Sequence, residues 1–211
     1  MASIPDRIHV PAQFDEHDTL SLFHVSMLTL AERYEDFQEV TKRSLRHTLA
    51  EHELEMTSTN IDKIMQAYDN LSTFEDVVPA LQKLGATKDV ECVVFSNGTP
   101  TMIKSSVNNS SDLSPVSGIF SHLVSVDHIR SFKPAPAVYR HLIECVGMVG
   151  RESSVWLVSG NPFDVVGARA IGLNAAWVDR AGNGWQDRLG AEPTEIIRGL
   201  SDLIELVKQS R

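Results

Sequence analysis

The chain has few cysteines, no long apolar run and no excess of basic charge, and each shortage narrows its class. Only two cysteines occur in 211 residues, Cys92 and Cys145. Both sit in apolar sequence surroundings with no redox or zinc spacing, so both read as buried structural thiols. The eight histidines are scattered. They form no HxxxH, HExxH or Cys/His cluster, which removes the usual zinc sites. No stretch approaches the ~18 apolar residues of a membrane span, and the N-terminus has no apolar signal core. A reducing, cytoplasmic setting is therefore expected. Lys and Arg number 19 against 28 Asp and Glu, a net charge of -9. That balance argues against nucleic acid or an anionic membrane as partner. It leaves a small-molecule substrate open, because a local field can oppose the global one.

What is present is ordinary for a globular chain, 42% hydrophobic and 22% charged, and long enough for a real core. Apolar spacing predicts three successive helices without strands. One runs from Thr19 to about Arg33, capped by Asp18, on Leu20, Phe23, Met27, Leu30 and Tyr34. A second covers Asp36 to Leu54 and a third Asn60 to Leu71. A fourth helix follows Thr73 and ends near Gly85. Thereafter strand and helix patterns alternate. Strands are expected at Val90–Phe95, His122–Val126, Val155–Val158 and Ala175–Val178. Helices are expected through Ile103 and Val107, from Ala135 to Gly147, from Asp164 to Gly172, and from Thr194 to Val207. Such alternation implies a mostly parallel sheet covered on both faces. Residues 1–17 read as an arm, 18–71 as a helical cap and 72–211 as a Rossmann-like core.

Polar groups collect just after three elements of that core. Ser96 and Asn97 follow one strand, Lys133 precedes a helix, and Ser159, Asn161 and Asp164 follow another strand. Ligands in open α/β sheets bind at the carboxyl ends of strands. Alone, Asp164 is an ordinary helix cap, Lys133 a solvated surface residue and each serine a turn former. Their joint occurrence at successive strand ends makes them candidates for a site. The Ser96–Asn97 turn, with its backbone amides, could hold an oxyanion or carboxylate.

Several segments resemble the haloacid dehalogenase superfamily, in particular its type II L-2-haloacid dehalogenase branch. They are FSNGTP at Phe95–Pro100, SVDHIRSFKPAPAVY at Ser125–Tyr139 and SGNPFDVVGARAIG at Ser159–Gly172. AERYEDF at Ala31–Phe37, WVDRAGN at Trp177–Asn183 and LGAEP at Leu189–Pro193 complete the set. The resemblance spans about Ser21 to Val207. It implies that Ser96 and Asn97 contact the substrate carboxylate or the reacting carboxyl group. It implies that Lys133 stands beside a nucleophile, with the Tyr139 hydroxyl near it. Ser159, Asn161 and Asp164 would form an acidic-loop cluster, with Phe163 and Phe37 facing substrate. One acid rather than two in that loop implies a form with no metal or other cofactor. The resemblance is also compatible with a homodimer.

The family pattern opens with a central strand ending in an aspartate nucleophile, as in FDxxGTL, and here the front departs from it. Phe14-Asp15-Glu16-His17-Asp18-Thr19-Leu20 imitates the motif, but HVPAQ before it makes a poor central strand. Alignment on AERYEDF instead places Asp18 where these dehalogenases carry a substrate-binding arginine. The fold expected is thus a Rossmann-like α/β core whose first, central strand is missing or replaced. Unpaired backbone groups left by that loss would cost ~1–3 kcal/mol each. The gap would be filled by the arm, by direct pairing of the strands ending at Ser96 and Ser159, or by a second subunit. Three functions follow. The first is a repurposed enzyme carrying out a rearrangement, cyclisation or pericyclic-type step on a small apolar carboxylate or carbonyl metabolite, as in secondary-metabolite biosynthesis, with Lys133, Asp164, Asn161 and Ser96 as catalytic groups. The second is L-2-haloacid dehalogenation with Asp15 as nucleophile. The third is a non-catalytic binding protein.

Overall fold

The computed structural model of the chain describes residues 24–68, 72–188 and 190–209. The proposed arm, Asp15, Asp18 and Leu189 lie outside the described residues. A helix, α1, occupies 24–30 and ends well before Arg33. Its inward residues are Val25 and Leu28, whereas Met27 and Leu30 are exposed. The expected apolar face is therefore rotated, and Tyr34 lies beyond the helix in the linker. Asp36 then caps α2, Phe37–Glu51, by accepting the Glu39 N–H at 2.9 Å. A capping carboxylate satisfies an otherwise orphaned first-turn donor. Leu45 of α2 packs on Ile61 and Met65 of α3, Ser58–Tyr68. α4 covers Val77–Gly85. Thr73 does not cap it; its N–H and hydroxyl both donate to Asp112.

The alternating part follows the expected order. β1 is Cys92–Ser96, α5 Pro100–Asn109, β2 Phe120–Ser125 and α6 Pro136–Cys145. β3 is Trp156–Ser159, α7 Pro162–Ala170, β4 Asn174–Val178, β5 Glu195–Ile197 and α8 Leu203–Gln209. All pairings among the described residues are parallel. β1 pairs with β2, with Phe95 opposite Val124, and β3–β4–β5 form a second group, with Leu157 opposite Ala175. Among the described residues β1 and β3 do not pair with each other, which removes direct closure of the gap from the alternatives. The strands are buried apolar runs: Val93, Phe95, Leu157 and Val158 are each at most 2% exposed. At roughly 1.5–3 kcal/mol per fully buried large aliphatic or aromatic side chain, such strands drive the core.

Two further local expectations fail. The helix expected from Thr194 is instead β5, a one-turn 3-10 helix at Leu200–Asp202, then α8. β-branched Ile196 and Ile197 pair along the edge of β4, and extended Gly199 then breaks the chain. Three residues are too few for a period of two to show in sequence. Cys92 is buried as expected, but Cys145 is exposed, with its Sγ 3.3 Å from Nε2 of His141.

The C-terminal elements are tied down by Asp76, just before α4. Its carboxylate takes a forked pair of bonds from Arg180 and the Leu200 N–H at 2.6 Å. The Arg180 guanidinium also lies over the Phe74 ring at 4.0 Å. Burial pushes the Asp76 carboxyl up, but the Leu200 and Arg180 bonds and the Arg180 charge outweigh it and hold it below the usual range. No helix among the described residues is long and apolar enough to cross a membrane.

Candidate active site

Three of the described strands end in serine, and each serine turns back on its own chain. Ser96 Oγ accepts the Gly98 N–H at 3.0 Å. Ser125 Oγ accepts the Asp127 N–H, and Ser159 Oγ the Asn161 N–H, both at 3.1 Å. A hydroxyl that mimics a backbone turn stops the strand and starts the loop. Ser125 also donates to the Gly98 carbonyl at 2.6 Å, joining the turns after β1 and β2. The loops therefore open at one end of the sheets, where Lys133 is held.

Lys133 is 2% exposed, far from the solvated surface position its residue type suggests. Its N–H donates to Asn97 Oδ1 at 2.9 Å, so the buried Asn97 orients the lysine's own backbone. Its Nζ donates to the Phe95 carbonyl at 2.9 Å and to Asp164 Oδ2 at 3.0 Å. The Phe95 ring centroid lies 4.1 Å from the same Nζ, close enough for the ring's negative face to attract the cation. Tyr139, on α6 and fully buried, donates to Asp164 Oδ1 at 2.7 Å.

Asp164, 1% exposed, is in the first turn of α7 but caps nothing. Asn161 is the N-cap residue, without a side-chain cap bond, and Pro162 begins the helix. Both Asp164 oxygens are instead committed, one to a cation and one to a phenol. A charge so buried persists only when paired and hydrogen-bonded. Gly167, one turn further along α7, makes room for this. A Cβ there would come within 2.5 Å of the Tyr139 hydroxyl and 2.6 Å of its Cε2.

The structure thus joins Asn97, Lys133, Tyr139 and Asp164 in one bonded network. Ser96, Ser159 and Asn161 border it as turn residues. Phe163 is half-buried beside Asp164. Phe37 reaches the region through Phe132, their ring centroids 6.1 Å apart. Among the described residues, no group of three or more His, Cys, Asp or Glu side chains is placed to hold a metal ion. A cavity of about 230 Å³ lined by His24, Leu28, Val40 and Arg43 lies among the N-terminal helices and shares no residue with this network.

Sequence reasoning missed Tyr34, Asp127 and Phe132. The Tyr34 hydroxyl donates to Asp127 Oδ1 at 2.5 Å, its ring stacks on Phe132 at 5.1 Å, and the Arg130 guanidinium stands 5.2 Å from its centroid. Burial pushes the Tyr34 phenol up, the Asp127 bond and charge add to it, and Arg130 opposes it. Both partners lay inside motifs already noted, but nothing in the sequence pairs positions 93 apart.

A parallel α/β core with a buried lysine–carboxylate pair at its strand ends is a Rossmann-like scaffold. The model of the haloacid dehalogenase-like hydrolases matches residues 6–172, and the chain belongs to that family. It is 33% identical over 175 residues to haloacetate dehalogenase H-2 of Moraxella sp. (strain B), covering 83% of this chain and 75% of that one. It is 29% identical over 178 residues to an (S)-2-haloacid dehalogenase of Pseudomonas sp. (strain YL), covering 84% and 73%. The L-2-haloacid dehalogenase RSc1362 matches with a TM-score of 0.84 at 28% identity, over 92% of this chain and 83% of that one. An L-2-haloacid dehalogenase from Xanthobacter autotrophicus with chloropropionic acid covalently bound matches with a TM-score of 0.82 at 27% identity, over 93% and 85%.

These comparisons overturn the expectation of a non-hydrolytic rearrangement or cyclisation and lend nothing to a biosynthetic role. Relatives over most of the chain are dehalogenases, and the family match includes the segment 14–20. The structure brings Asn97, Lys133, Tyr139 and Asp164 together.

Proposed function

We propose that this chain is a 2-haloacid dehalogenase, replacing the halogen of a small L-2-haloacid by hydroxyl. The reading rests on the buried Asn97–Lys133–Asp164–Tyr139 network, carried by a chain whose relatives are named for this reaction. In the proposed reaction the Asp15 carboxylate attacks C2 of the substrate. The new C–O bond forms as the carbon–halogen bond breaks, and the halide leaves with the bonding pair. Water then adds to the carbonyl of the resulting ester. The 2-hydroxy acid departs, a proton is released and the carboxylate is regenerated. Ser96 and Asn97 offer the polar turn for the substrate carboxylate, with Asn161 and Ser159 on the opposite strand end. Lys133 supplies the positive charge that favours an ionised nucleophile and the developing anion. The helices of residues 24–68 form the cap that carries Phe37 toward the substrate.

The test is chloride release from L-2-chloropropionate by the full chain, compared with the D enantiomer. Release from the L form that disappears in Asp15→Asn supports the reading and the nucleophile together. Release that survives Asp15→Asn moves the nucleophile elsewhere, and no release from any 2-haloacid tried removes the function.

A further inference from the structure

The segment 125–133 runs from the end of β2 to the site lysine, and both of its ends are pinned. At one end Ser125 accepts the Asp127 N–H; at the other Asn97 accepts the Lys133 N–H. Between them the chain passes through Arg130 in a left-handed conformation, φ 52°, and then buries Phe132, 1% exposed. The middle of this segment is met by the N-terminal part of the chain. Tyr34, in the linker between α1 and α2, bonds Asp127, stacks on Phe132 and lies against Arg130.

We infer that Tyr34 is a positioning residue, whose bond to Asp127 latches the helical cap onto the loop that presents Lys133. Tyr34 acts through the loop and does not itself reach Lys133 in the described contacts. Neighbouring Phe37 also packs on Phe132, so the latch and the proposed substrate-facing aromatic share one anchor. With the latch made, the cap is closed before substrate arrives. Without it, part of the substrate's binding energy is consumed in closing, which raises KM more than it lowers kcat.

The probe is Tyr34→Phe, which keeps the stacked ring and removes only the hydroxyl, alongside Asp127→Ala and Asp127→Asn. The Asn variant retains an oxygen able to accept the bond. Two readouts are taken on the full chain. The first is amide hydrogen exchange at Arg33, Ile129 and Arg130, whose N–H groups bond Leu28, Val126 and Asp127 carbonyls across the linker and loop. The second is steady-state halide release, the part that rests on the dehalogenase reading. Tyr34→Phe and Asp127→Ala are expected to speed exchange at these amides by about tenfold and to raise KM by a similar factor. A hydrogen bond to a charged acceptor carries roughly that factor. kcat should stay within about twofold, and Asp127→Asn should restore most of both. Unchanged exchange and KM in Tyr34→Phe overturns the latch. So does a fall in kcat as large as the rise in KM, accompanied by a general fall in melting temperature, which would make the pair merely structural. If the wild-type chain releases no halide, the functional reading fails, and the exchange measurement still decides the latch.

Discussion

Adding one methyl group at Gly167 should disable the site from behind. In most helices Gly→Ala stabilises, by ~1 kcal/mol. Here the Cβ would meet Tyr139 at 2.5 Å from its hydroxyl, 2.6 Å from Cε2 and 2.7 Å from Cζ. Tyr139 is fully buried, so its ring has no solvent to retreat into. Overpacking of a filled core costs ~1–3 kcal/mol. If the ring moves, the bond from the phenol to Asp164 is also lost, about 1.5–3 kcal/mol for a charged acceptor. With the ring displaced, and against the ~1 kcal/mol helix gain, Gly167→Ala should destabilise by roughly 1.5–5 kcal/mol. Urea unfolding measures this directly. The double mutant Gly167→Ala/Tyr139→Leu tests the mechanism, since its loss should be clearly smaller than the sum of the two single losses. A Gly167→Ala protein as stable as wild type, or more so, refutes the close-packing argument. Additive losses in the double mutant would show that Tyr139 is not what the methyl strikes.

Lys133→Met should abolish halide release and cost ~3–5 kcal/mol, because it leaves Asp164 charged and buried without its cation. Lys133→Met/Asp164→Leu should recover much of that stability and none of the activity in the same urea and chloride assays. The Asp76 clamp predicts a pH dependence. Its folded carboxyl is held below the ordinary carboxylate range, so its contribution is full above the unfolded value and is lost as pH falls through the lower folded one. Asp76→Asn should therefore lower the urea midpoint near neutrality and flatten its decline below about pH 4; a parallel decline in both proteins would contradict the assignment.

Much of the core was legible because buried parallel strands leave continuous apolar runs, as in CVVF and WLV, bounded by polar turns. Lys133 and Asp164 were legible as members of motifs, but not as partners. Their pairing depends on two loops meeting across separate strand groups. Asp164 looked like a cap because it stands where caps stand, and only the buried Tyr139 and Lys133 explain why it faces inward. β5 was hidden by its brevity, and the exposure of Cys145 by the apolar neighbours that surround it in sequence. The direction of the chemistry is hidden in the sequence for a different reason. One departure from a pattern is easily seen in a string of letters, whereas the cooperation of four retained groups is visible only once they touch.

The fastening of Asp76 to Arg180 and Leu200 bears on how the chain can be handled. Sequence ends are usually the safest places for tags and deletions. Here a carboxylate ahead of α4 grips the backbone only eleven residues short of the last residue. A trimming that reaches Leu200 would strip the outer strand's successor and loosen a helix more than a hundred positions upstream.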